Sequence, residues 1–551
     1  MNDSNKNQKR GSDIVDVVVI GAGFAGLYAH YKIREMGLSI QGFEAGPDVG
    51  GTWFWNRYPG ARCDIESLDY SYSFSAELLD EWKWSERYAA QPEILRYINY
   101  VADKFDLRRD ITFNTRITAC TYDQAENLWT VESEHGDKIR CTYLMTTTGC
   151  LSTPKDPEFD GLADFKGKWV QTSTWPREGV EFAGKRVAVI GTGSSGIQSI
   201  PEIAKEAAHL TVFQRSPNYT IPARNAPIDQ EWEAKVRKDY VEHHRRNKET
   251  KGGVQSKLST GLMTFDVDKE ERLATFEHAW QFGSAGIQNV YSDLLSNPEA
   301  NVTVADFVQN KIRSIVKDPE TAERLAPKDH PFATKRLCLD TDYYDTYNRP
   351  NVELVDLRAT PIETLTAAGI KTTEKEYPFD LIVFATGFDA MTGPLLALNI
   401  KGVDGLLLKD AWKDGPASYL GLMMAGFPNL FTVNGPGSPS VLANMVPTIE
   451  HHVDWIADCI TYMREHKVTR IEPTMKAQAS WAQTVHDVAN HTLFPLAKSW
   501  YMGDNVPGKP RVFLAYVGGF SNYITRVAEI VTGGYVGFKL SSDHSESEKS
   551  A

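Results

Sequence analysis

Apolar runs, each followed by a glycine-rich turn and a helical pattern, occur twice along the chain. The first run, Ile14–Ile20, leads into a helix predicted over Leu27–Met36. The second run, Arg186–Ile190, leads into a similar turn and helix. The first glycines of the two turns, Gly21 and Gly191, are 170 positions apart. Because that distance is too long for one dinucleotide site, we expect each turn to bind its own dinucleotide.

The middle of the chain has a different character. From residue 221 to residue 328 charged residues dominate and apolar positions recur at helical spacing, whereas β-type runs return at Val352–Val355 and Leu381–Ala385. We therefore predict an α/β fold with two Rossmann-like domains and a mostly helical insertion in the second. The predicted bounds are 12–150 with 390–540 for the first domain, 151–220 with 329–389 for the second, 221–328 for the insertion, and disordered tails at 1–11 and 541–551.

Composition narrows the class of protein. The chain has 551 residues, enough for two or three domains, and a net charge of −13, which argues against nucleic acid as a partner. Its apolar runs are all shorter than the ~18 residues of a membrane span, and the polar N-terminus does not resemble a signal peptide. Six scattered cysteines show no metal-binding spacing. We expect a cytoplasmic protein with reduced thiols and no bound metal.

The first turn carries the glycine pattern of a dinucleotide-binding loop. Its first glycine permits a tight turn, the second lets the backbone approach a pyrophosphate, and the third packs the helix on the strand. A second strand ends on Glu44, where a carboxylate accepts hydrogen bonds from ribose hydroxyls and repels a 2′-phosphate. These features favour FAD. The candidate contacts are Gly21, Gly23, Phe24, Ala25, Gly26 and Glu44.

The second turn has the same glycine spacing, but the residues at the end of its next strand differ from those after the first turn. Its next strand ends in Gln214-Arg215-Ser216, without an acidic residue. An arginine there can bind a 2′-phosphate with two hydrogen bonds, and the serine can add another, so the site favours NADPH over NADH. The candidate contacts are Gly191, Thr192, Gly193, Ser194, Ser195, Gly196, Ile197, Gln198, Arg215 and Ser216.

Two longer motifs narrow the chemistry. Residues 165–176, FKGKWVQTSTWP, resemble the fingerprint F-x-G-x-x-x-H-x-x-x-W-P of type I Baeyer–Villiger monooxygenases, and residues 50–64 match G-G-x-W-x-x-x-x-Y-P-G-x-x-x-D in full. The chain resembles this family from Val17 to about Phe538, most of all its phenylacetone and steroid enzymes. The resemblance implies that FAD, reduced by NADPH, reacts with O2 to a C4a-peroxyflavin that converts a ketone to an ester or lactone. It also implies a monomer, a bulky apolar ketone, and sulfoxidation as a side activity.

The resemblance also assigns roles to residues. It implies that Arg336 stabilises the anionic oxygen, that Asp64 holds Arg336, and that Lys335 binds the 2′-phosphate of NADPH together with Arg215, although a basic pair is usually only a solvated surface feature. Trp500 would pack along NADPH. The implied flavin contacts are Gly51, Thr52, Trp53, Phe54, Trp55, Arg62, Cys63, Asp64, Tyr70, Ile117 and Met445.

The turn after Gly435 is rich in glycine and proline, which predicts a rigid, irregular loop. We expect its end to form a wall of the substrate pocket, with an ordinary surface turn as the alternative. The residues concerned are Ser440, Val441, Leu442, Ala443, Asn444 and Met445.

Gln171 stands where the family fingerprint has histidine. Glutamine donates and accepts hydrogen bonds but does not titrate near neutral pH. If the position couples the domains, glutamine preserves its role in part; if a proton is needed there, the chain would be a poorly coupled NADPH oxidase. Two further alternatives stay open, a flavin monooxygenase acting on nitrogen or sulfur and a non-catalytic flavoprotein.

Overall fold

A computed structural model describes residues 14–542. The predicted tail at 1–11 and all but the first two residues of the tail at 541–551 lie outside this range. The prediction was wrong at Ser541, which ends a strand paired with Arg470. The backbone carbonyl of Ser541 accepts a hydrogen bond from Thr469 N at 3.0 Å, so polar composition did not prevent strand pairing there.

The strands of the described range are short and mostly buried. In chain order they are β1 (Ile14–Ile20), β2 (Ile40–Phe43), β3 (Ile111–Thr112), β4 (Ile117–Asp123), β5 (Leu128–Ser133), β6 (Lys138–Thr146), β7 (Lys168–Gln171), β8 (Arg186–Ile190), β9 (His209–Gln214), β10 (Thr220–Pro222), β11 (Cys338–Asp340), β12 (Val352–Asp356), β13 (Ile362–Leu365), β14 (Gly369–Thr372), β15 (Glu376–Pro378), β16 (Leu381–Phe384), β17 (Ile400–Lys401), β18 (Leu430–Thr432), β19 (Arg470–Pro473) and β20 (Phe538–Ser541).

The α-helices of the same range surround the sheets. They are α1 (Phe24–Glu35), α2 (Thr52–Trp55), α3 (Ala76–Glu81), α4 (Gln91–Lys104), α5 (Ser194–Glu206), α6 (Gln230–Arg237), α7 (Tyr240–Lys248), α8 (Lys269–Phe282), α9 (Pro298–Ile315), α10 (Pro319–Leu325), α11 (Tyr343–Thr346), α12 (Gly393–Leu396), α13 (Leu408–Ala411), α14 (Met445–Glu465), α15 (Met475–Asn490) and α16 (Phe520–Thr532). Each helix within residues 14–542 is too short or too polar to cross a membrane.

The first sheet has the order β17-β4-β5-β6-β1-β2-β3, with β18 also pairing with β6. Strand β1 runs parallel to both β2 and β6. Its Val17, Val18 and Val19 are fully buried, as expected for a β-branched run in a parallel strand covered on both faces. Helix α1 begins at Phe24, so the predicted start at Leu27 was three residues late. The reason is that Leu27 N already bonds to Gly23 O at 3.0 Å, which makes Gly23 the N-cap.

The second sheet has the order β12-β9-β8-β16-β7, with each neighbouring pair parallel. Helix α5 crosses from β8 towards β9, and residues 187–190 are buried beneath it. Two α/β sheets with helical crossovers make up the predicted fold class, which solved structures described below confirm. The exact domain bounds stay predictions.

Residues 221–328, between these sheet strands, contain helices α6 to α10 and the end of β10. Four of these helices begin at a side-chain cap whose oxygen accepts a backbone N–H of the first turn, which satisfies donors that the helix itself leaves unpaired. The capping residues are Asp229, Asp268, Asn297 and Asp318.

The chain passes between the two sheets twice, after β6 and after β16. The two passes pair antiparallel as a narrow ribbon, residues 150–155 and 387–391, which we call the crossing ribbon. Met391 N bonds to Cys150 O at 2.8 Å, and Asp389 N bonds to Thr153 O at 2.9 Å. Lys155 N closes the ribbon with a bond to Gly387 O at 3.2 Å. The two passes are therefore one structural unit.

Candidate active site

The first glycine turn fits a dinucleotide because its backbone is closely packed and its helix end is open. Gly21 has φ +108°, and a Cβ on Gly26 would lie 1.9 Å from Gly21 O, so neither position accepts a side chain. Gly23 and Gly51 approach closely: a Cβ on Gly51 would lie 2.8 Å from Gly23 Cα. Among the described residues no side chain caps α1, so its first N–H groups are available to a pyrophosphate.

Glu44 lies beside this turn at the end of β2, largely buried. Its Oε2 accepts a hydrogen bond from Ala22 N at 2.8 Å, and its Oε1 accepts one from Gly46 N at 2.7 Å. Backbone donors therefore fix the carboxylate next to the turn. Each carboxylate oxygen has a second lone pair, so the predicted acceptance from ribose hydroxyls is compatible with these bonds.

The second turn repeats this geometry at α5. Gly191 has φ +111°, and a Cβ on Gly196 would lie 2.1 Å from Gly191 O. A Cβ on Gly193 would meet no described atom within 4 Å, which leaves space above the turn for a phosphate. Thr192 Oγ1 donates to Ser216 O at 3.0 Å and ties the turn to the corner after β9.

That corner gathers basic side chains around Asp329. Ser216 Oγ lies 3.3 Å from one oxygen of Asp329 and accepts a hydrogen bond from Arg358 Nη2 at 2.7 Å. Arg358 also forms an ion pair with Asp329, and Lys335 Nζ lies 3.9 Å from the same carboxylate. Burial lowers the pKa of Lys335; the Asp329 carboxylate opposes this shift, whereas the charges of Arg358 and Arg215 add to it. A surplus of positive charge at this corner suits a phosphate ligand.

Arg336 lies where three segments of the chain meet. Its Nη2 and Nε donate to the two oxygens of Asp64 at 2.7 and 3.2 Å, a bidentate pair, and its Nη1 donates to Val441 O at 2.8 Å. The Arg336 side chain as a whole is one-third exposed. The Asp64 carboxylate raises the pKa of Arg336 further, against the effect of burial. The predicted Asp64–Arg336 contact is thus present, and Val441 O is a second partner of Arg336 that the sequence did not indicate.

The motif from residue 50 to residue 64 packs against α5. Tyr58 Oη donates to Gln198 Oε1 at 2.9 Å, and Gln198 Nε2 donates to Arg62 O at 3.0 Å. Gly60 has φ +79°, and a Cβ there would lie 2.2 Å from Gln198 O. The glycine of the motif is therefore required for this approach. Gln198, predicted as a cofactor contact, uses its side chain to join the two nucleotide-binding regions.

The predicted flavin contacts lie around α2, whose N-cap is Gly51 and which spans Thr52, Trp53, Phe54 and Trp55. Trp53 Nε1 donates to Tyr70 Oη at 3.1 Å. Cys63 is buried next to Asp64, and its burial raises the pKa of the thiol. Ile117 is buried at the start of β4. Their contacts with FAD stay predictions.

The predicted substrate loop is mostly buried. Residues 440–442 form a 3₁₀ turn, and Met445, predicted within the loop, instead begins α14 because Asn444 Oδ1 accepts Val446 N at 3.2 Å and caps the helix. Ser440 is fully buried at φ +43°, an unusual conformation for serine. Ser440, Val441 and Asn444 are buried and the other three residues are half-buried, which argues against the surface-turn alternative. That the loop lines the substrate pocket stays a prediction.

A family model described as flavin-binding monooxygenase-like matches residues 15–240. A Baeyer-Villiger monooxygenase from Pseudooceanicola batsensis is 43% identical over 541 residues, 97% of this chain and 98% of that protein. The chain belongs to the Baeyer–Villiger monooxygenase family. A phenazine N-monooxygenase from Lysobacter antibioticus is also similar, 41% identical over 96% of this chain and 98% of that protein.

Solved structures agree with this assignment. An oxidized steroid monooxygenase bound to NADP has a TM-score of 0.92 and 50% identity over 96% of this chain and 99% of that one. An OTEMO complex with FAD and NADP has a TM-score of 0.92 and 42% identity, with the same coverage. This Baeyer–Villiger monooxygenase is therefore an FAD- and NADPH-dependent enzyme with the two-nucleotide α/β fold.

Gln171 ends β7 in this monooxygenase and is 8% exposed. Its Nε2 donates to Lys155 O at 2.9 Å, within the crossing ribbon. The non-catalytic alternative is wrong at the level of the family, whose members are named as monooxygenases. Whether the chain couples NADPH use to product formation well or poorly stays a prediction.

Two residues that the sequence did not indicate, Arg358 and Tyr501, lie beside the predicted site residues of this monooxygenase. Arg358 follows β12, and β12 pairs with β9 in a register that places Asp356 opposite Gln214. The order of the strands, which no local sequence pattern encodes, brings Arg358 next to Ser216 and Asp329 in the turn after β9. Tyr501 is buried next to the predicted Trp500, with ring centroids 4.3 Å apart, and lies close enough to Arg336 for the guanidinium charge to act on its hydroxyl. Burial raises the pKa of Tyr501 to about 12, and the Arg336 charge opposes that rise.

Proposed function

We propose that this enzyme inserts one oxygen atom of O2 next to a ketone carbonyl and releases an ester or lactone. The observation that carries the proposal is the position of Arg336, held by Asp64 on one side and by Val441 O on the other. Val441 belongs to the proposed substrate loop, so the cation lies between the motif of the flavin region and the wall of the pocket.

Arginine is suited to this position because it stays protonated at every physiological pH. Attack on a carbonyl develops negative charge on oxygen, and a fixed cation stabilises that charge more in the transition state than in the ground state. Asp64 orients the guanidinium through two hydrogen bonds, which leaves the cation in place without reorganisation during the reaction. Asp64 is therefore proposed as a positioning residue for Arg336.

NADPH, when bound, would supply two electrons, and FAD would use them to activate O2, whose second oxygen atom leaves as water. We propose that Gly21, Gly23, Gly26 and Glu44 hold FAD. We propose that the second turn holds NADPH, with Arg215, Ser216, Lys335 and Arg358 at its 2′-phosphate. The glycines contribute close backbone approach, and the basic residues contribute charge and hydrogen bonds.

The substrate proposed is a bulky apolar ketone. Val441, Leu442 and Ala443 give the loop an apolar surface next to Arg336, and the steroid monooxygenase that shares 50% identity is named for a large apolar substrate. We also propose action in the cytoplasm, since all six cysteines are free and buried. Action as a monomer stays a prediction.

The test compares the wild type with Arg336→Ala on phenylacetone, cyclohexanone and progesterone. Products are identified by mass spectrometry, and anaerobic flavin reduction by NADPH is followed separately. We expect Arg336→Ala to lose at least about 100-fold in ester formation while flavin reduction stays within a few-fold, as for loss of an oxyanion-stabilising group.

The matched control is Arg186→Ala, which removes an exposed arginine paired with Asp380 and is expected to change neither rate. Ester formation that persists in Arg336→Ala would overturn the role of this residue. Failure of the wild type to form an ester from any of the three ketones would count against ketone oxidation itself.

A second candidate is oxidation of nitrogen, favoured by the 41% identity to a phenazine N-monooxygenase. A nitrogen or sulfur atom attacks an electrophilic oxygen, and this reaction develops no carbonyl oxyanion beside Arg336. N-oxide formation from phenazine that survives Arg336→Ala, with no ester from ketones in the wild type, would favour this candidate.

A further inference from the structure

A buried polar network joins the helical insertion to the flavin region at Asp69. One carboxylate oxygen of Asp69 accepts hydrogen bonds from His243 Nε2 at 2.6 Å and from Asn247 Nδ2 at 2.8 Å. Both donors are on α7, and all three residues are at least nine-tenths buried. These hydrogen bonds lower the pKa of Asp69 although burial alone raises it. Asp69 is therefore an ionised acceptor within the protein interior.

Gln255 fixes the orientation of the histidine. Its Nε2 lies 3.1 Å from His243 Nδ1 and 3.2 Å from Asn247 Oδ1. A carboxylate can only accept, so the hydrogen of a neutral His243 is on Nε2, and Nδ1 accepts from the Gln255 amide. Each member of the network thus has a defined role, which specifies a single arrangement of α7 against Asp69.

The same aspartate holds the end of the substrate loop. Asp69 O accepts a hydrogen bond from Asn444 Nδ2 at 2.7 Å, and Asn444 N donates to Gly252 O at 2.8 Å. Asn444 is 1% exposed and is fixed from one side by the segment of Asp69 and from the other by the insertion. The residue after Asp69 is Tyr70, which accepts from Trp53 and lies among the predicted flavin contacts.

We propose that His243 and Asp69 are positioning residues that set the shape of the ketone pocket through Asn444. The proposal rests on the proposed function, in which Ser440–Met445 lines the pocket. The insertion then determines which ketone fits, because α7 and the Gly252 carbonyl fix the backbone position of Asn444. Loss of one donor to a buried carboxylate leaves that charge under-satisfied, and small displacements of a pocket wall change reaction geometry strongly.

The test uses four substitutions in the FAD-loaded enzyme. His243→Leu removes the donor to Asp69, whereas His243→Gln keeps an N–H donor near the position of Nε2. The matched control is Thr264→Val, which removes one donor from another buried carboxylate of the insertion: Thr264 Oγ1 donates to Asp293 at 2.7 Å. Gln255→Leu is a milder variant that removes the bond to His243 Nδ1, in case His243→Leu does not fold.

The first readout is hydrogen exchange of residues 440–446 and 250–256, which does not depend on turnover. We expect about tenfold faster exchange in His243→Leu, recovery towards wild type in His243→Gln, and wild-type exchange in Thr264→Val. The second readout is the KM for a bulky ketone and the product ratio from an unsymmetrical ketone. We expect KM to rise several-fold and the ratio to change, with the anaerobic rate of flavin reduction by NADPH within about twofold of wild type.

The inference is overturned if His243→Leu and Gln255→Leu match Thr264→Val in exchange at residues 440–446. It is also overturned if exchange rises but KM and product ratio stay at wild-type values. Failure of the proposed function is distinct from both, because it appears as absence of ester in the wild type while the exchange result stands.

Discussion

The side-chain amide of Gln171 donates to the backbone carbonyl of Lys155, and the ammonium group of Lys155 donates to Asn505 O at 2.5 Å. Gln171 ends the edge strand of the second sheet, Lys155 is part of the crossing ribbon, and Asn505 follows the segment of Trp500 and Tyr501. One hydrogen-bonded path therefore links the second sheet to the segment of Trp500 and Tyr501. The contact needs a donor at residue 171, and it does not need a titrating group.

The first prediction is that the enzyme needs a hydrogen-bond donor at residue 171. Gln171→Leu leaves a half-buried carbonyl without its donor, which costs about 1–3 kcal/mol, and we expect a lower ratio of ester formed to NADPH consumed. Gln171→His, which keeps a donor, is expected to leave this ratio unchanged or raise it. The measurement is NADPH consumption with quantified product and hydrogen peroxide. A clear loss in Gln171→His would show instead that glutamine is specifically required.

Lys335 and Arg358, the basic side chains beside Asp329, are predicted to make the enzyme prefer NADPH over NADH. We expect Lys335→Ala and Arg358→Ala each to raise KM for NADPH about tenfold, since a charge-assisted hydrogen bond contributes about 1.5–3 kcal/mol. KM for NADH, which lacks the 2′-phosphate, is expected to stay the same. Steady-state kinetics with both nucleotides, and Arg186→Ala as the exposed control, give the comparison. An equal effect of Arg358→Ala on NADH would exclude a role at the 2′-phosphate.

The close contact of Gly60 with Gln198 predicts that an alanine at residue 60 lowers thermal stability more than an alanine at residue 136. Gly60→Ala meets Gln198 O at 2.2 Å, whereas Gly136→Ala, at a similar positive φ, meets no described atom within 4 Å. Both variants incur backbone strain of about 1–2 kcal/mol, and only Gly60→Ala adds a steric clash. We expect a clearly lower melting temperature for Gly60→Ala in thermal unfolding of the FAD-loaded enzyme. Equal melting temperatures would mean that α5 can shift at no cost.

His244 predicts how stability changes with pH. Burial lowers the pKa of His244 to about 4, and within the described range its Nε2 has no hydrogen-bond partner. His244 binds a proton near pH 6.5 in the unfolded chain but only near pH 4 in the folded chain. The contribution of neutral His244 to the free energy of unfolding is therefore complete above pH 6.5 and decreases as the pH falls towards 4.

The measurement is the free energy of unfolding in urea at pH 7 and pH 5. Replacement by leucine in His244→Leu should flatten the decrease by up to about 1.4 kcal/mol per pH unit over that window. The variant and the wild type are compared by how their free energy of unfolding changes with pH, and not by its absolute value, because only the change with pH depends on proton binding by His244. An unchanged slope would show that His244 is protonated in the folded protein as well.

Local patterns predicted the strands β1 and β8 to the residue and both glycine turns, because a buried β-branched run and a required positive φ are encoded by neighbouring residues. The Asp64–Arg336 pair came through a family motif, since 272 positions separate the two residues. Arg358 was missed because its approach to Ser216 depends on the order of β12 and β9. The network of Asp69, His243 and Asn444 was missed for the same reason: its members come from three distant segments that only the folded chain brings together.

The crossing ribbon has a mechanical consequence. The two sheets are connected by two antiparallel segments that are hydrogen-bonded to each other from Cys150 to Lys155, and not by a single unpaired linker. Twisting one sheet relative to the other would strain those hydrogen bonds, and we expect bending across the ribbon to strain them less. Arg336 and Asp64 come from the second and the first predicted domain, so a relative movement of the sheets would also load their ion pair. The crossing ribbon and the Arg336–Asp64 ion pair therefore resist the same movement between the two sheets.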